Sequence, residues 1–476
     1  MKRKTKILAL VLVFVLIMSS FALAAPKVEK GSSAVAFDKK VLARIDADKV
    51  LKHISYLSET IGPRIAGSEE EREAAEYIKD EFEKYGYDTK MQEFPFYSIA
   101  DAYLSVDGTE LEFEVPDLSG GTDADGVTAE VVDCGLGNSL DEFLKDPVTD
   151  EYLVKGKIAL IQRGVETFVT KAENATAAGA IGVILYNREN IADPNEIVMP
   201  GLGTEPLELP FVSISLNDGR QIRESLADGE EVEATIMTEQ IVKESQNVIA
   251  VKGAKNKGSK DIVYVTAHYD SVPGAPGAND NASGTAMMLE FARILKSYPV
   301  DKEVRFVACG AEEIGILGSD YYVMNLSDED FENSFANFNM DMISTSAEEC
   351  DILYADTVDG EPNIVTEAAE AAGARLGNNI LSRLPGDRSD HAPFGYSGIP
   401  AACFIWGDEN GDLEDWYHTP SDTIAINISL DRLQQAGEII GSALYDVIRK
   451  DTANLTKSKL RRVGRDAGVY EFGVQE

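Results

Sequence analysis

Residues 262–271 read Ile262-Val263-Tyr264-Val265-Thr266-Ala267-His268-Tyr269-Asp270-Ser271, a β-branched apolar run that ends on a histidine and an aspartate. Its length and lack of polar alternation predict a strand buried on both faces. Runs of the same kind predict strands at 303–308, 335–340 and 400–405, and helical patterns fall at 284–296, 362–374 and 430–448. Strands alternating with helices predict an α/β fold with a mostly parallel central sheet and helices on both faces, its chemistry lying beyond the carboxyl ends of the strands.

Toward the amino terminus, Val50, Ile54 and Leu57 begin a helix that stops before Gly62-Pro63. Ser68 caps a second helix, whose first turn holds Glu69, Glu70 and Glu71, where the helix dipole favours them; Ala75, Ile78, Phe82 and Tyr85 repeat at helical spacing until Gly86. Residues 94–115 alternate as strands, and the stretch from Pro116 to Gly126 turns rich in Gly, Ser, Thr and Asp, as at a domain boundary. A compact α/β unit follows, with a strand at 157–162, a helix at 168–178 stopped by Gly179 and a strand at 181–186.

The 476 residues exceed one ordinary domain, which predicts two domains or a domain with an insertion. With 44 Lys and Arg against 82 Asp and Glu, the net charge of −38 repels phosphate backbones and anionic membrane surfaces, so nucleic acid is not an expected partner. Four cysteines (Cys134, Cys309, Cys350, Cys403) are too scattered for a disulfide scaffold and read as core thiols. Met1 to Lys6 carry four cations, an apolar run extends from Ile7 to Met18, and Ala22 and Ala24 stand where a peptidase cuts. This is the pattern of a secretory signal peptide over 1–24, predicting a secreted protein with no stable membrane anchor after cleavage.

Histidine is scarce: His53, His268, His391 and His418 are all there are. His268 closes the opening strand, and Asp270, two residues on, suits a carboxylate that fixes the tautomer of a ligating imidazole. The loop Pro276-Gly277-Ala278-Asn279-Asp280-Asn281 reads equally as a helix cap. Glu312 and Glu313 leave an apolar strand between glycines, Asp341 follows another, and His418 lies in a loop after the last. Candidate ligands at the carboxyl ends of several strands converge on one sheet edge, and an oxygen-rich set containing imidazole suits zinc, with cobalt or manganese as substitutes.

In order and context, His268-Tyr269-Asp270-Ser271, Asn279-Asp280-Asn281-Ala282-Ser283-Gly284, Glu312-Glu313, Asn339-Met340-Asp341 and Tyr417-His418-Thr419 resemble the motifs of the M28 family of co-catalytic dizinc aminopeptidases. The resemblance covers nearly all of the chain after the leader. Residues 61–68, Ile61-Gly62-Pro63-Arg64-Ile65-Ala66-Gly67-Ser68, resemble that family's amino-terminal signature, and residues 156–164 and 171–179 resemble an inserted protease-associated (PA) domain. Secreted bacterial aminopeptidases and a vacuolar aminopeptidase with that insertion are similar.

The resemblance implies a zinc-exopeptidase fold, phosphorylase/hydrolase-like, with the peptidase domain at 25–115 and 245–456, the PA domain at 116–244 and a tail at 457–476. It implies two zinc ions bridged by Asp280, with His268 and Asp341 completing one set of ligands and Glu313 and His418 the other. A cis peptide would follow Asp280. Glu312 would be the general base, with Asp270 and Tyr417 as further catalytic residues, Asp270 fixing the tautomer of His268 and Tyr417 donating to the oxyanion. Arg388, in Asp387-Arg388-Ser389-Asp390-His391, looks like a segment bordering the substrate cleft; a surface ion pair is the plainer reading of it. The substrates implied are peptides or proteins with a free amino terminus, and the PA unit would shade the cleft or guide peptides. A related metallo-carboxypeptidase or dipeptidase, and a non-catalytic peptide-binding protein on the same fold, are the rival readings.

Overall fold

The computed structural model describes residues 39–449 apart from 41–42, 204 and 256–258; the expected signal peptide and the tail at 457–476 lie outside the described residues. In chain order the strands are β1 (Asp88–Val106), β2 (Thr109–Glu110), β3 (Val127–Asp133), β4 (Ile158–Gln162), β5 (Gly182–Tyr186), β6 (Phe211–Ile214) and β7 (Glu233–Lys252). Then come β8 (Ile262–His268), β9 (Glu303–Cys309), β10 (Ser334–Met340), β11 (Ile352–Asp356), β12 (Leu381–Ser382) and β13 (Ala401–Gly407). The principal helices are α1 (Ala47–Ser55), α2 (Glu69–Tyr85), α3 (Phe168–Ala177), α4 (Leu216–Ala227), α5 (Gly284–Leu295), α6 (Leu317–Met324), α7 (Ile364–Leu376) and α8 (Leu430–Ile448).

All the strands join one sheet, ordered β12-β11-β13-β10-β8-β9-β7-β3-β4-β5-β6, with β1 along β7. Its centre, β13-β10-β8-β9, is parallel, so four carboxyl ends meet at one edge. Successive residues of β8 serve opposite faces, as the pleat requires. Val263, Val265 and Ala267 pack beneath α1, α2, α5, α7 and α8, while Ile262 and Tyr264 pack with Tyr322 and Val323 of α6. The fold is thus α/β, with helices on both faces of a mostly parallel central sheet.

The inserted unit repeats this logic on a smaller scale. Parallel β3 to β6 carry α4 against one face, through Leu216 and Ile222, and α3 against the other, through Ala172 and Ala175. It joins the peptidase sheet through a ribbon: β1 and β7 pair antiparallel from Asp88↔Val251 to Val106↔Ala234. At one end of the ribbon β7 pairs with β9, and at the other with β3. The boundary expected at Pro116 therefore differs from the packing. Leu104 and Val106 of β1 already lie in the core of the inserted unit, with Leu111, Phe113 and Val115 packed against it, because β1 crosses from one domain into the other ahead of the composition shift.

Phe306 of β9 is fully buried between Phe82 of α2 and Tyr87, with ring centroids 5.8 and 5.5 Å away. Phe306→Ala is expected to cost about 3–5 kcal/mol of peptidase-domain stability by leaving a cavity, read as a lowered urea midpoint.

Candidate active site

Each predicted site residue follows directly from a strand or its loop. His268 closes β8 and aligns with Cys309 at the end of β9. Glu312 and Glu313 lie just past β9, Asp341 follows β10, and His418 lies in the loop after β13. Asp280 sits in a turn at Ala278–Ser283 that leads into α5, and its peptide bond to Asn281 is cis.

These side chains meet at one edge of the sheet. His268 Nε2 lies 3.3 Å from Asp280 Oδ1 and 3.3 Å from Asp341 Oδ1. His418 Nε2 lies 3.2 Å from Asp280 Oδ2 and 2.9 Å from Glu313 Oε2. One carboxylate thus turns its two oxygens to two histidines. Donor atoms of His268, Asp280 and Glu313, and those of His268, Glu312 and Asp341, also gather within 4.8 Å. Glu312 is 3.9 Å from His268, farther than either Asp280 or Asp341.

Those spacings suit a metal. A tetrahedral zinc with bonds of about 2.0–2.1 Å holds its ligand atoms about 3.3 Å apart. Glu313 Oε1 is buried with no hydrogen-bond partner, which fits a ligand facing a cation. His268, Asp280 and Asp341 would hold one ion, and Asp280, Glu313 and His418 the other.

Asp270 is fully buried and supports both histidine and glutamates. Its Oδ1 lies 3.6 Å from His268 Nδ1 and accepts the Glu312 N–H at 3.1 Å, while its Oδ2 accepts the Glu313 N–H at 3.1 Å. Arg64, also fully buried, holds the loop before Asp280. Its Nε donates to Tyr269 O (2.6 Å), its Nη1 to Pro276 O (2.8 Å) and Gly62 O (2.9 Å), and its Nη2 to Gly277 O (2.9 Å). Ser389 donates to Asp341 Oδ2 at 2.7 Å.

Two acids without a predicted role hold the same loop from the other side. Asp422 accepts the Asn279 N–H (2.9 Å) and the Asp280 N–H (3.0 Å), and Glu414 accepts from Asn279 Nδ2 (2.9 Å) and Asn427 Nδ2 (2.7 Å). Proximity to His418 was the one sequence signal for them.

The acids crowd one another. Burial, with Glu313 and Asp341 beside it, holds the Glu312 carboxyl well above its ordinary pKa despite the opposing pull of His268. Burial and Asp280 push Glu313 up to about 8. Burial opposes the His268 cation, but Glu312 and Asp341 outweigh it and raise its pKa. His418 rises to about 10, because hydrogen bonds to Asp280 and Glu313 overcome its burial. The Arg64 guanidinium is pushed down to about 10 by burial, against the pull of Asp270, Asp422 and Asp280.

Tyr417 stacks on the His418 ring at 3.7 Å and is 38% exposed. Arg388 is exposed and makes no ion pair among the described residues; its neighbour in sequence, Ser389, is the one that reaches the cluster, through Asp341. His391 is buried and turned away, its Nε2 against Gly386 O at 2.8 Å.

Imidazoles and carboxylates gathered at the carboxyl edge of a parallel sheet, on a chain with an inserted α/β unit, define a metal-dependent hydrolase of the peptidase kind. A profile of Peptidase family M28 matches residues 247–444, and a PA domain profile matches residues 127–222. Aminopeptidase YwaD of Bacillus subtilis is 44% identical over 408 residues, spanning 85% of this chain and 86% of that protein. An aminopeptidase of Pseudomonas aeruginosa is 31% identical over 439 residues, spanning 82% and 78%. Among solved structures, BSAP, a zinc aminopeptidase from Bacillus subtilis, is 42% identical with a TM-score of 0.68, over 87% of this chain and 98% of that one. An aminopeptidase from Aneurinibacillus sp. strain AM-1 is 35% identical with a TM-score of 0.73, over 90% and 100%. The chain belongs to peptidase family M28.

Arg64→Leu is expected to destabilise the metal-free protein by about 3–5 kcal/mol, since it removes a buried cation and leaves its carbonyl partners unpaired. Urea denaturation after chelation measures this without a contribution from bound metal.

Proposed function

We propose that this chain is a secreted zinc aminopeptidase that removes amino-terminal residues from peptides at a two-ion centre, with Glu312 as general base. The observation that carries the reading is Asp280, whose oxygens face His268 at 3.3 Å and His418 at 3.2 Å. Two zinc ions, with cobalt or manganese as substitutes, would supply Lewis acidity toward the scissile carbonyl and acidify water.

The protein's own groups do the rest. Glu312, adjacent to a ligand, takes a proton from the attacking water and returns it to the departing amine. Asp270 orients both ends of this arrangement, through the backbone of Glu312 and Glu313 and the ring of His268. Tyr417, partly exposed beside His418, donates to the oxyanion that develops on the substrate carbonyl. The excess of carboxylates favours a terminus that can carry positive charge, so a free amine is bound and an acetylated one, which keeps an N–H but is neutral and non-basic, is rejected. Arg388, exposed and next in sequence to Ser389, would border the substrate cleft and contact the substrate.

Export is supported by the leader pattern over 1–24 and the acidic composition. No helix among the described residues is long and apolar enough to cross a membrane.

Hydrolysis of a free-amine leucine anilide beside its acetylated twin tests the reading, with metal content measured before and after chelation. Cleavage of the free-amine substrate alone, lost on chelation and restored by zinc, is expected. Cleavage of the acetylated twin, or no cleavage with two metals bound, sinks it. Glu312→Gln is expected to keep its zinc and lose turnover by roughly 10²–10⁴-fold; loss of both ions in that variant would contradict the division of roles. Asp280→Ala removes the one group shared by both histidines and is expected to lose metal, read by elemental analysis.

A further inference from the structure

The loop that carries Glu312 and Glu313 is held by two buried carboxylates rather than one. Three successive backbone N–H groups, those of Ala311, Glu312 and Glu313, each donate to an acid. The last two go to Asp270 and the first goes to Glu71 Oε1 at 3.2 Å. Glu71 is the third residue of α2, beside Glu69 and Glu70, yet it is 1% exposed. The same Oε1 accepts the Ser245 hydroxyl at 2.6 Å, and Oε2 accepts the Gly67 N–H at 2.7 Å.

Ser245 lies on β7, in the stretch of ribbon between its pairing with β9 and its pairing with β3 of the inserted unit. One side chain therefore joins the segment after Arg64, the ribbon that bears the PA domain and the loop that bears the two glutamates. Two further observations mark this junction as built. A Cβ on Gly310 would come within 2.7 Å of Gln246 O and 2.8 Å of Glu71 Oε1, so the loop passes closer than any side chain permits. Phe94 and Phe96 of β1 pack with Ala66 and Ala311 in a separate apolar cluster at the same place.

We propose that Glu71 is a positioning residue for hydrolysis, fixing the Glu312–Glu313 loop to the ribbon that carries the PA domain. Glu71 touches no donor atom of the metal cluster and acts through the Ala311 backbone, whose φ of +54° is unfavourable for a residue other than glycine. The proposal rests on the reading of Glu312 as base and Glu313 as ligand.

Hydrogen–deuterium exchange on the zinc-replete full-length protein tests it, with kcat, KM and zinc content measured on the same preparations. Glu71→Gln keeps the size of the side chain but replaces one of its two acceptor oxygens with an NH2 group, which cannot accept the N–H of Gly67 or Ala311; exposed Glu73→Gln on the same helix is the control. Exchange across residues 309–317 is expected to rise roughly tenfold in Glu71→Gln and not in the control. Its kcat is expected to fall roughly tenfold, with KM within about twofold and zinc retained, because the base is misplaced while binding is spared. Ser245→Ala, which removes only the ribbon arm, is expected to raise exchange in the same segment to a smaller degree, and it decides the matter if Glu71→Gln does not fold. Wild-type exchange across 309–317 in either folded variant overturns the proposal. A wild-type enzyme that fails to cleave the free-amine anilide overturns the aminopeptidase reading instead, and the exchange result still decides whether Glu71 holds the loop.

Discussion

The site turns on one constraint: the carboxylate of Asp280 must face two ways at once. Its oxygens stand 3.3 and 3.2 Å from imidazoles that leave different strands, so the backbone around it has little room to move. Three remote segments supply that rigidity. Arg64 binds the carbonyls of Pro276 and Gly277, Asp422 takes the N–H groups of Asn279 and Asp280, and Asn281 donates to Met340 O at 2.9 Å. A short loop before α5 is thereby held from the amino-terminal segment, from the end of β10 and from the loop after β13.

This rigidity requires burying charge. Asp270, Asp280, Glu312, Glu313 and Asp341 share a small volume, with the buried guanidinium of Arg64 close enough to feel Asp270, Asp280 and Glu313. Backbone N–H groups and imidazoles offset part of the charge; the upward pKa shifts of Glu312 and Glu313 show that the offset is incomplete. A buried carboxylate cluster of this kind gains most from divalent cations, so metal binding and local stability are coupled.

How much was legible in the sequence follows from the range of each interaction. β8, β9, β10 and β13 showed themselves because strands buried on both faces are written as continuous apolar runs. The residues just past them stood out because polar groups rarely leave such strands without purpose. The β1–β7 ribbon was not legible as one object. Its halves lie in different domains, and its 19- and 20-residue strands are set by pairing between segments far apart in sequence. Glu71 read as one of three glutamates suited to a helix dipole, and nothing local separates it from its exposed neighbours Glu69 and Glu70. Asp422 acts on the backbone of Asp280, 142 positions away. Pattern reveals which residues leave a strand, but it does not reveal which buried acids receive their backbone.

The loop after β9 shows what this backbone support accomplishes. Glu312 and Glu313 are neighbours in sequence, yet one lies 3.9 Å from His268 and the other 2.9 Å from His418, at opposite ends of Asp280. The chain sends them apart by turning sharply, with positive φ at Ala311 (+54°), Gly315 (+111°) and Ile316 (+61°), and with the Glu312 carbonyl accepting from both Gly315 (2.8 Å) and Ile316 (2.6 Å). The left-handed conformation costs a non-glycine residue on the order of 1–2 kcal/mol, and it persists because the loop's N–H groups find buried acid oxygens as partners and would otherwise be left unpaired in the interior. Had the strand continued into a regular helix, the two glutamates would diverge by about 100° around its axis and lack the carboxylate anchors beneath them. The turn, rather than either glutamate alone, is what allows one segment to serve both halves of the centre.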